Sequence, residues 1–396
     1  MEKLWRKINP PELPDKMFLR QNFDQLRFFN IYRGASKAPF GQQFRFYALE
    51  VFLALQFFPI AYDLTTVLDD IALIGDDLCV LTGVVMVLMK RWHCRSIVDQ
   101  LDDCVQKFDE YYAHYRSRGA EFAEAIRRET LPDRILAFMS HVLGGAMCVF
   151  FVMRELLSDG ESHILRAKFP FNTDTTVGHM VVFASQAFLL CHSVVSTVLI
   201  EDFSTELLSQ LSVLFVLLRM EFEQVAKGYP LPRDQLLHYD EAIAARIKQL
   251  IVQHQKLLSF ADRVKELYET NIMGQFVASS IIICMTAFEV MFAKGQMILI
   301  CRFGAYMAIS FHQIFAWCFF GDRMTHMSTS IHEGIFACNW IGLDNGLKKD
   351  LGFAMMRAQQ PYVINVYGMF PLTFAMFIAI SSRAYSVMTL MQSMIE

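Results

Sequence analysis

Ser279-Ser280-Ile281-Ile282-Ile283-Cys284-Met285-Thr286-Ala287-Phe288-Glu289-Val290-Met291-Phe292-Ala293-Lys294-Gly295-Gln296-Met297-Ile298-Leu299-Ile300 decides the fold. It joins an apolar run over 272–293 to a second over 297–320 through a link of three residues, Lys294, Gly295 and Gln296. A helix needs about 20 mainly apolar residues to cross a bilayer core. Two such runs with so short a link read as a helical hairpin through a membrane, since helices satisfy their own backbone polar groups there. Working outward, comparable runs lie at 44–67, 71–89, 135–157, 177–200 and 370–392. The expected fold is an all-α membrane protein with seven transmembrane helices.

Composition agrees. Hydrophobic residues are 54% of 396 positions and charged residues 19%, against about a quarter charged in soluble domains. Net charge is −4, so there is no basic field for nucleic acid. The segment 1–16 holds three prolines and no apolar core of signal-peptide type, so the first span is expected to insert itself. The nine cysteines read as reduced or buried thiols, and no Asn-x-Ser/Thr sequon occurs.

The links between spans alternate. Residues 68–70 and 294–296 form tight turns, whereas 90–134 and 201–271 are long and charged. Lys and Arg number nine before residue 46, nine in 90–134, eight in 201–271 and four in 321–369. The other side carries only Arg154, Arg166, Lys168 and Lys294. Positive residues accumulate in cytoplasm, which predicts a cytoplasmic N-terminus and an extracellular C-terminus, the reverse of G-protein-coupled receptors. The expected organisation is a cytoplasmic arm (1–43), a six-helix bundle with long cytoplasmic loops (44–320), a cytoplasmic anchor segment (321–369) and a terminal span (370–396).

The long loops are patterned. Phe203, Leu207, Leu211, Leu214, Leu218 and Phe222 recur at helical spacing, as do Ile243, Ile247, Leu250, Leu257 and Val264. These helices extend the fourth and fifth spans as a packed bundle, serving either packing within the chain or a subunit interface. Leu347, Leu351 and Met355 share a face of a helix ending before Pro361, and Trp340 is a candidate anchor beside it.

Four strings carry a family resemblance. They are Phe169-Pro170-Phe171; Cys318-x-x-Gly321-x-x-Met324-x-x-x-Ser328 with Phe336 and Trp340; Arg357-Ala358-Gln359-Gln360-Pro361; and Ala384-Tyr385-Ser386 with Thr389-Leu390. Together they resemble the insect odorant receptor family, with Met324 for the usual Leu, Phe336 for Tyr and Gln360 for Lys. The resemblance implies an odorant-gated, non-selective cation channel, built as a tetramer around one pore with the last span lining it. It also implies an odour-tuned subunit working with co-receptor subunits in the plasma membrane of olfactory neuron dendrites. The co-receptor carries a long insertion in its second cytoplasmic loop, for which 201–271 leaves little room. A gustatory-type channel of the same superfamily is the alternative; a transporter or a G-protein-coupled receptor is a more distant one.

The expected partners are co-receptor subunits, a small volatile and the bilayer. No cofactor, metal site or catalytic motif is expected. The resemblance places the ligand in the outer half of the bundle, where Leu73, Val80, Phe150, Met153, Met180, Phe183, Phe303 and Tyr306 are the candidates. It also makes the terminal helix the pore wall, with Ser381, Tyr385, Met388 and Gln392 on one face. Subunit contacts are assigned to Trp340, Leu347, Leu351 and Met355. Asp76 and Asp77 face an aqueous cavity or sit at a helix start, and Arg383 is expected to pair with Glu289 or another acid.

Overall fold

The computed structural model describes residues 8–10, 12–14, 16–29, 31–32, 40–67, 71–157, 163–173, 175–225, 236–293, 295–338, 340–341 and 343–393. Helix α1 (Phe18–Phe28) is followed by α2 (Phe40–Thr66), α3 (Ile71–Ser96), α4 (Val98–Arg116), α5 (Ala120–Glu129) and α6 (Leu131–Leu157). Then come α7 (Thr176–Gln224), α8 (Leu236–Phe292), α9 (Met297–Ala337) and α10 (Asn345–Ala358). A two-stranded hairpin, β1 (Asn365–Val366) and β2 (Phe370–Pro371), precedes α11 (Phe374–Ser393).

Among the described residues, five helical stretches are long and apolar enough to cross a bilayer, and they fall on α2, α6, α7, α8 and α9. Helices α3 and α11 complete the seven. In α3 the apolar run is bounded by Asp76-Asp77 and Lys90-Arg91. The fourth, fifth and sixth spans do not stop at the membrane thickness: α7, α8 and α9 run for 49, 57 and 41 residues. At about 1.5 Å per residue each extends well past a hydrocarbon core of about 30 Å.

Helix α9 packs against α6, α7, α8, α10 and α11, making it the central post. The apolar stripe expected on α7 is a stripe only in sequence, because all residues from 198 to 218 are buried. Helix α1 covers one side of it, with Leu19, Phe23 and Leu26 buried and Asn22 Nδ2 donating to Glu206 Oε2 at 2.7 Å. Buried polar groups on α7 take partners from other helices. Glu201 pairs with Lys90, and Ser209 donates to Asp133. Such enclosure is what a polar face demands when no water reaches it.

The Cys318/Gly321/Met324/Ser328 string is the face of α9 that receives the chain's last segment. Cys318 and Met324 are fully buried, and Ser328 Oγ accepts from the Tyr362 amide at 2.9 Å. A Cβ on Gly321 would lie 2.6 Å from the carbonyl oxygen of Leu372, so glycine is required for this approach. Tyr362 donates to Asp262 Oδ1 at 2.7 Å; burial and that carboxylate push its phenol above the ordinary range. Tyr367 and Gly368 both take positive φ (49° and 70°), which turns β1 into β2. This hairpin corrects one boundary: the terminal helix begins at Phe374, not at residue 370. Gly321→Val should cost about 2 kcal/mol and expose the 361–373 segment to protease; unchanged melting and cleavage would show that this contact is not needed.

The polar residues at membrane depth differ from expectation. Asp76 does not face water. It is buried and held by Arg302 at 2.7 and 3.2 Å. Asp77 is buried beside Arg166, whose Nε lies 4.0 Å away. Arg383 is exposed on α11, and no ion pair joins it to Glu289 among the described residues. Glu289 instead lies against Gly75 of α3, where a Cβ would meet its carboxylate. The nine cysteines are free thiols.

Candidate ligand-binding site

Helical spacing turns one strip of each of five spans towards a common centre. Val80, Gly83, Val84 and Val87 of α3 face Leu190, Ser193, Val194 and Thr197 of α7. Gln275, Ser279 and Ile282 of α8, with Tyr306, Ile309 and Gln313 of α9, close the other side. Met147 and Phe151 of α6 contribute from below the loop, and Leu165 reaches in from it. The cavity holds about 90 Å³, is partly open, and its wall is mainly apolar.

The roof is pinned. Gln186 of α7 accepts from the Leu165 amide at 3.1 Å and donates to the Leu165 carbonyl at 2.7 Å, a two-way clamp of side chain on backbone. The Lys168 amide donates to the Pro59 carbonyl at 3.1 Å, and Arg166 pairs with Asp63 at 3.3 Å. The 163–173 segment is thereby tied to α2 and α7 over the void.

A few polar groups are set into the wall. Tyr306 Oη donates to the Cys79 carbonyl at 3.2 Å, which fixes its ring across the cavity. Gln275 Nε2 donates to Ser279 Oγ at 2.7 Å and to Gln313 Oε1 at 2.8 Å. Ser193 Oγ and Gln275 Oε1 are buried with no hydrogen-bond partner among the described residues. Buried polar atoms are costly unless paired, so these two define where an oxygen-bearing guest gains a hydrogen bond. Beyond the wall, Arg302 stacks over the Phe151 ring at 4.3 Å, connecting the Asp76 ion pair to the cavity lining.

Among the eight residues expected to bind ligand, Val80 and Tyr306 line this cavity. Phe183 is half-buried and packs on the surrounding core, while Met180 and Met153 point outward, 65% and 36% exposed. Leu73 and Phe150 are half-buried away from the lining; Phe303 is buried against Arg302. Sequence reading missed Ser193, Gln275 and Gln313. The available signal was the recurrence of Ser, Thr and Gln at three- and four-residue steps inside apolar spans, at 193/197, 275/279 and 310/313.

On α11, Ser381 Oγ donates to the Phe377 carbonyl at 2.9 Å and Tyr385 is 64% exposed. The side chains of Met388 and Gln392 lie outside the described residues. On α10, Leu347 and Leu351 are buried in the chain's own core and Met355 packs against it. Trp340 is partly exposed, and the outward apolar residues at this end are Phe336, Ile341, Phe353 and Met356.

Residues 70–385 match the family model described as 7tm Odorant receptor. This chain belongs to the insect odorant receptor family. It is 26% identical over 160 residues to Odorant receptor 13a of Drosophila melanogaster, covering 37% of this chain and 38% of that receptor. It is 23% identical over 332 residues to Odorant receptor 47b of the same fly, covering 80% of this chain and 77% of that receptor. The fold matches the olfactory receptor OR5 from Machilis hrabei with TM-score 0.74 at 12% identity, over 94% of this chain and 98% of that one. The OR5 complex with eugenol matches with TM-score 0.75 at 13% identity, over 95% and 98%. As a family member the chain is a multi-pass membrane protein of the receptor class.

Proposed function

We propose that this chain is the odour-tuned subunit of an odorant-gated, non-selective cation channel, assembled with co-receptor subunits in the plasma membrane of olfactory dendrites. The observation that carries this reading is the apolar cavity, with two polar atoms unpartnered among the described residues, inside the bundle of an odorant receptor fold. Its chemistry suits a small lipophilic molecule carrying one hydroxyl or carbonyl group, with Ser193 Oγ able to donate or accept and Gln275 Oε1 able to accept. A receptor of the same fold has been obtained in complex with eugenol, which supports a guest of that size. The Lys and Arg distribution supports a cytoplasmic N-terminus.

In this reading the ligand opens the pore by binding the dilated state more tightly than the closed one, since equal affinity shifts nothing. The pore wall is assigned to Ser381, Tyr385, Met388 and Gln392 of α11, with the gate at the last two. An apolar ring can close a pore by dewetting. Co-expression with a co-receptor should give odorant-evoked cation current without G-protein signalling. Equally robust current from this chain alone would exclude the heteromer, and absence of any odorant response across a broad panel of volatiles would exclude the receptor role.

Subunit contact is assigned to the outward face, Phe336, Trp340, Ile341, Phe353 and Met356, in place of Leu347, Leu351 and Met355, which the chain's own core occupies. Phe353→Glu with Met356→Glu should abolish co-purification of the partner while leaving the protein monodisperse. Leu351→Glu should instead lower the folded yield, by about 2–5 kcal/mol of lost packing. Normal co-assembly of the double variant would place the interface elsewhere.

A further inference from the structure

Three metal-ligand side chains from three separate stretches of chain meet where the cavity roof begins. Glu155 lies two residues before the end of α6 and is buried. His179 stands in the first turn of α7, with Nε2 3.2 Å from Glu155 Oε1. His163 begins the described part of the loop between them, its ring 5.7 Å from that of His179 and tilted by 33°. One ligand atom from each of the three falls within 4.8 Å of the others. His163 Nδ1 is buried and has no hydrogen-bond partner among the described residues, so this ring keeps an unused ligand atom.

We propose that Glu155, His163 and His179 form a binding site for a divalent transition-metal ion of the Zn²⁺ class, and that the bound ion clamps the roof of the ligand cavity. Neutral imidazole and carboxylate are ligands suited to Zn²⁺, at about 2.0–2.2 Å each, which sets neighbouring donors roughly 3.4 Å apart in a tetrahedron. The His179–Glu155 separation already has that value. The third donor lies within 4.8 Å of the other two, so it needs to close by at most about 1.5 Å to reach tetrahedral spacing, a movement open to a side chain on a connecting loop. Three protein ligands leave a fourth position for water. Two imidazoles sit side by side at one carboxylate, and a bound ion would draw all three donors to one point.

Leu165, two residues after His163, lines the cavity and is clamped by Gln186 of the same helix that supplies His179. Metal binding therefore ties the end of α6, the roof and the start of α7 into one unit. Fewer roof openings mean slower exchange between the cavity and its surroundings. The metal site itself does not depend on the odorant reading. Its tests use no odorant.

The test uses the purified full-length protein, stripped of metal and held in lipid nanodiscs. Titration with CoCl₂ should give the visible absorption of tetrahedral cobalt, saturating at one ion per chain and displaced by ZnCl₂. His163→Ala and His179→Ala should each remove it, and Glu155→Gln should weaken binding about tenfold or more. Thermal melting and size-exclusion profiles identify any variant that fails to fold; His163, on the loop, is the variant on which the proposal stands. Hydrogen exchange of segment 163–171 should slow by about tenfold with ZnCl₂ in the wild type and not in His163→Ala. No saturable cobalt band, or an undiminished one in His163→Ala, overturns the site. A band without slowed exchange overturns the clamp.

Discussion

Gly83→Val is expected to raise the odorant concentration needed for half-maximal current by roughly ten- to a hundredfold, the effect of about 1–3 kcal/mol of overpacking in a close-packed wall. A Cβ at Gly83 would lie 2.4 Å from Tyr306 Oη. Tyr306 is buried and its hydroxyl is tied to the Cys79 carbonyl, so the ring cannot turn outward without losing that bond. The void is the remaining direction, and the ring fills the space that the ligand needs. Ser193→Ala provides the chemical counterpart. It should cost about 0.5–1.5 kcal/mol, roughly three- to tenfold, for an odorant with a hydroxyl or carbonyl group, and nothing for a hydrocarbon of equal size. Concentration–response curves at matched surface expression measure both. Unchanged sensitivity in Gly83→Val would mean that ligand binds outside this cavity.

The largest loss of folded protein is expected from Arg302→Ala. Arg302 is fully buried, holds Asp76 through two hydrogen bonds and stacks on Phe151. Removing it leaves a carboxylate in the interior of a span, at a cost of about 3–5 kcal/mol. Arg154, 3.8 Å from Asp76, keeps an ion pair with it but makes neither of the two hydrogen bonds lost. Surface-delivered protein should fall to a small fraction of wild type, and the purified remainder should melt far lower. The double variant Arg302→Met with Asp76→Asn removes both charges and should recover most of the loss. Wild-type surface levels for Arg302→Ala alone would show that Arg154, water or lipid headgroups satisfy Asp76 instead.

Much of the site was illegible in the sequence for reasons these two experiments share. Asp76 and Arg302 are 226 residues apart, and each alone reads as a costly charge in an apolar run. Only the packing of α3 on its neighbours makes them a pair. The cavity draws two to five residues from each of five helices, and within any one helix they look like ordinary core positions. Val80 and Tyr306 were recoverable because they are large or branched residues on inward faces. Ser193, Gln275 and Gln313 carried only the recurrence of polar residues at three- and four-residue steps, which became a site once their helices met.

What the sequence by itself determined is the set of spans, their connectivity and the family, because hydropathy over about 20 residues is a local quantity and the strings at 318–328 and 357–361 are contiguous. It also determined that Leu347, Leu351 and Met355 share one helical face. It could not say what covers that face, since a helix presents the same periodicity to its own chain and to a neighbouring subunit. Tertiary structure decided that the chain's own core covers it. It likewise decided that α7 is enclosed on all sides from residue 198 to 218, that Arg302 neutralises Asp76, and that Gly83 leaves room beside Tyr306. Each of these depends on which atoms approach from distant parts of the chain, and that information exists only once the helices have packed.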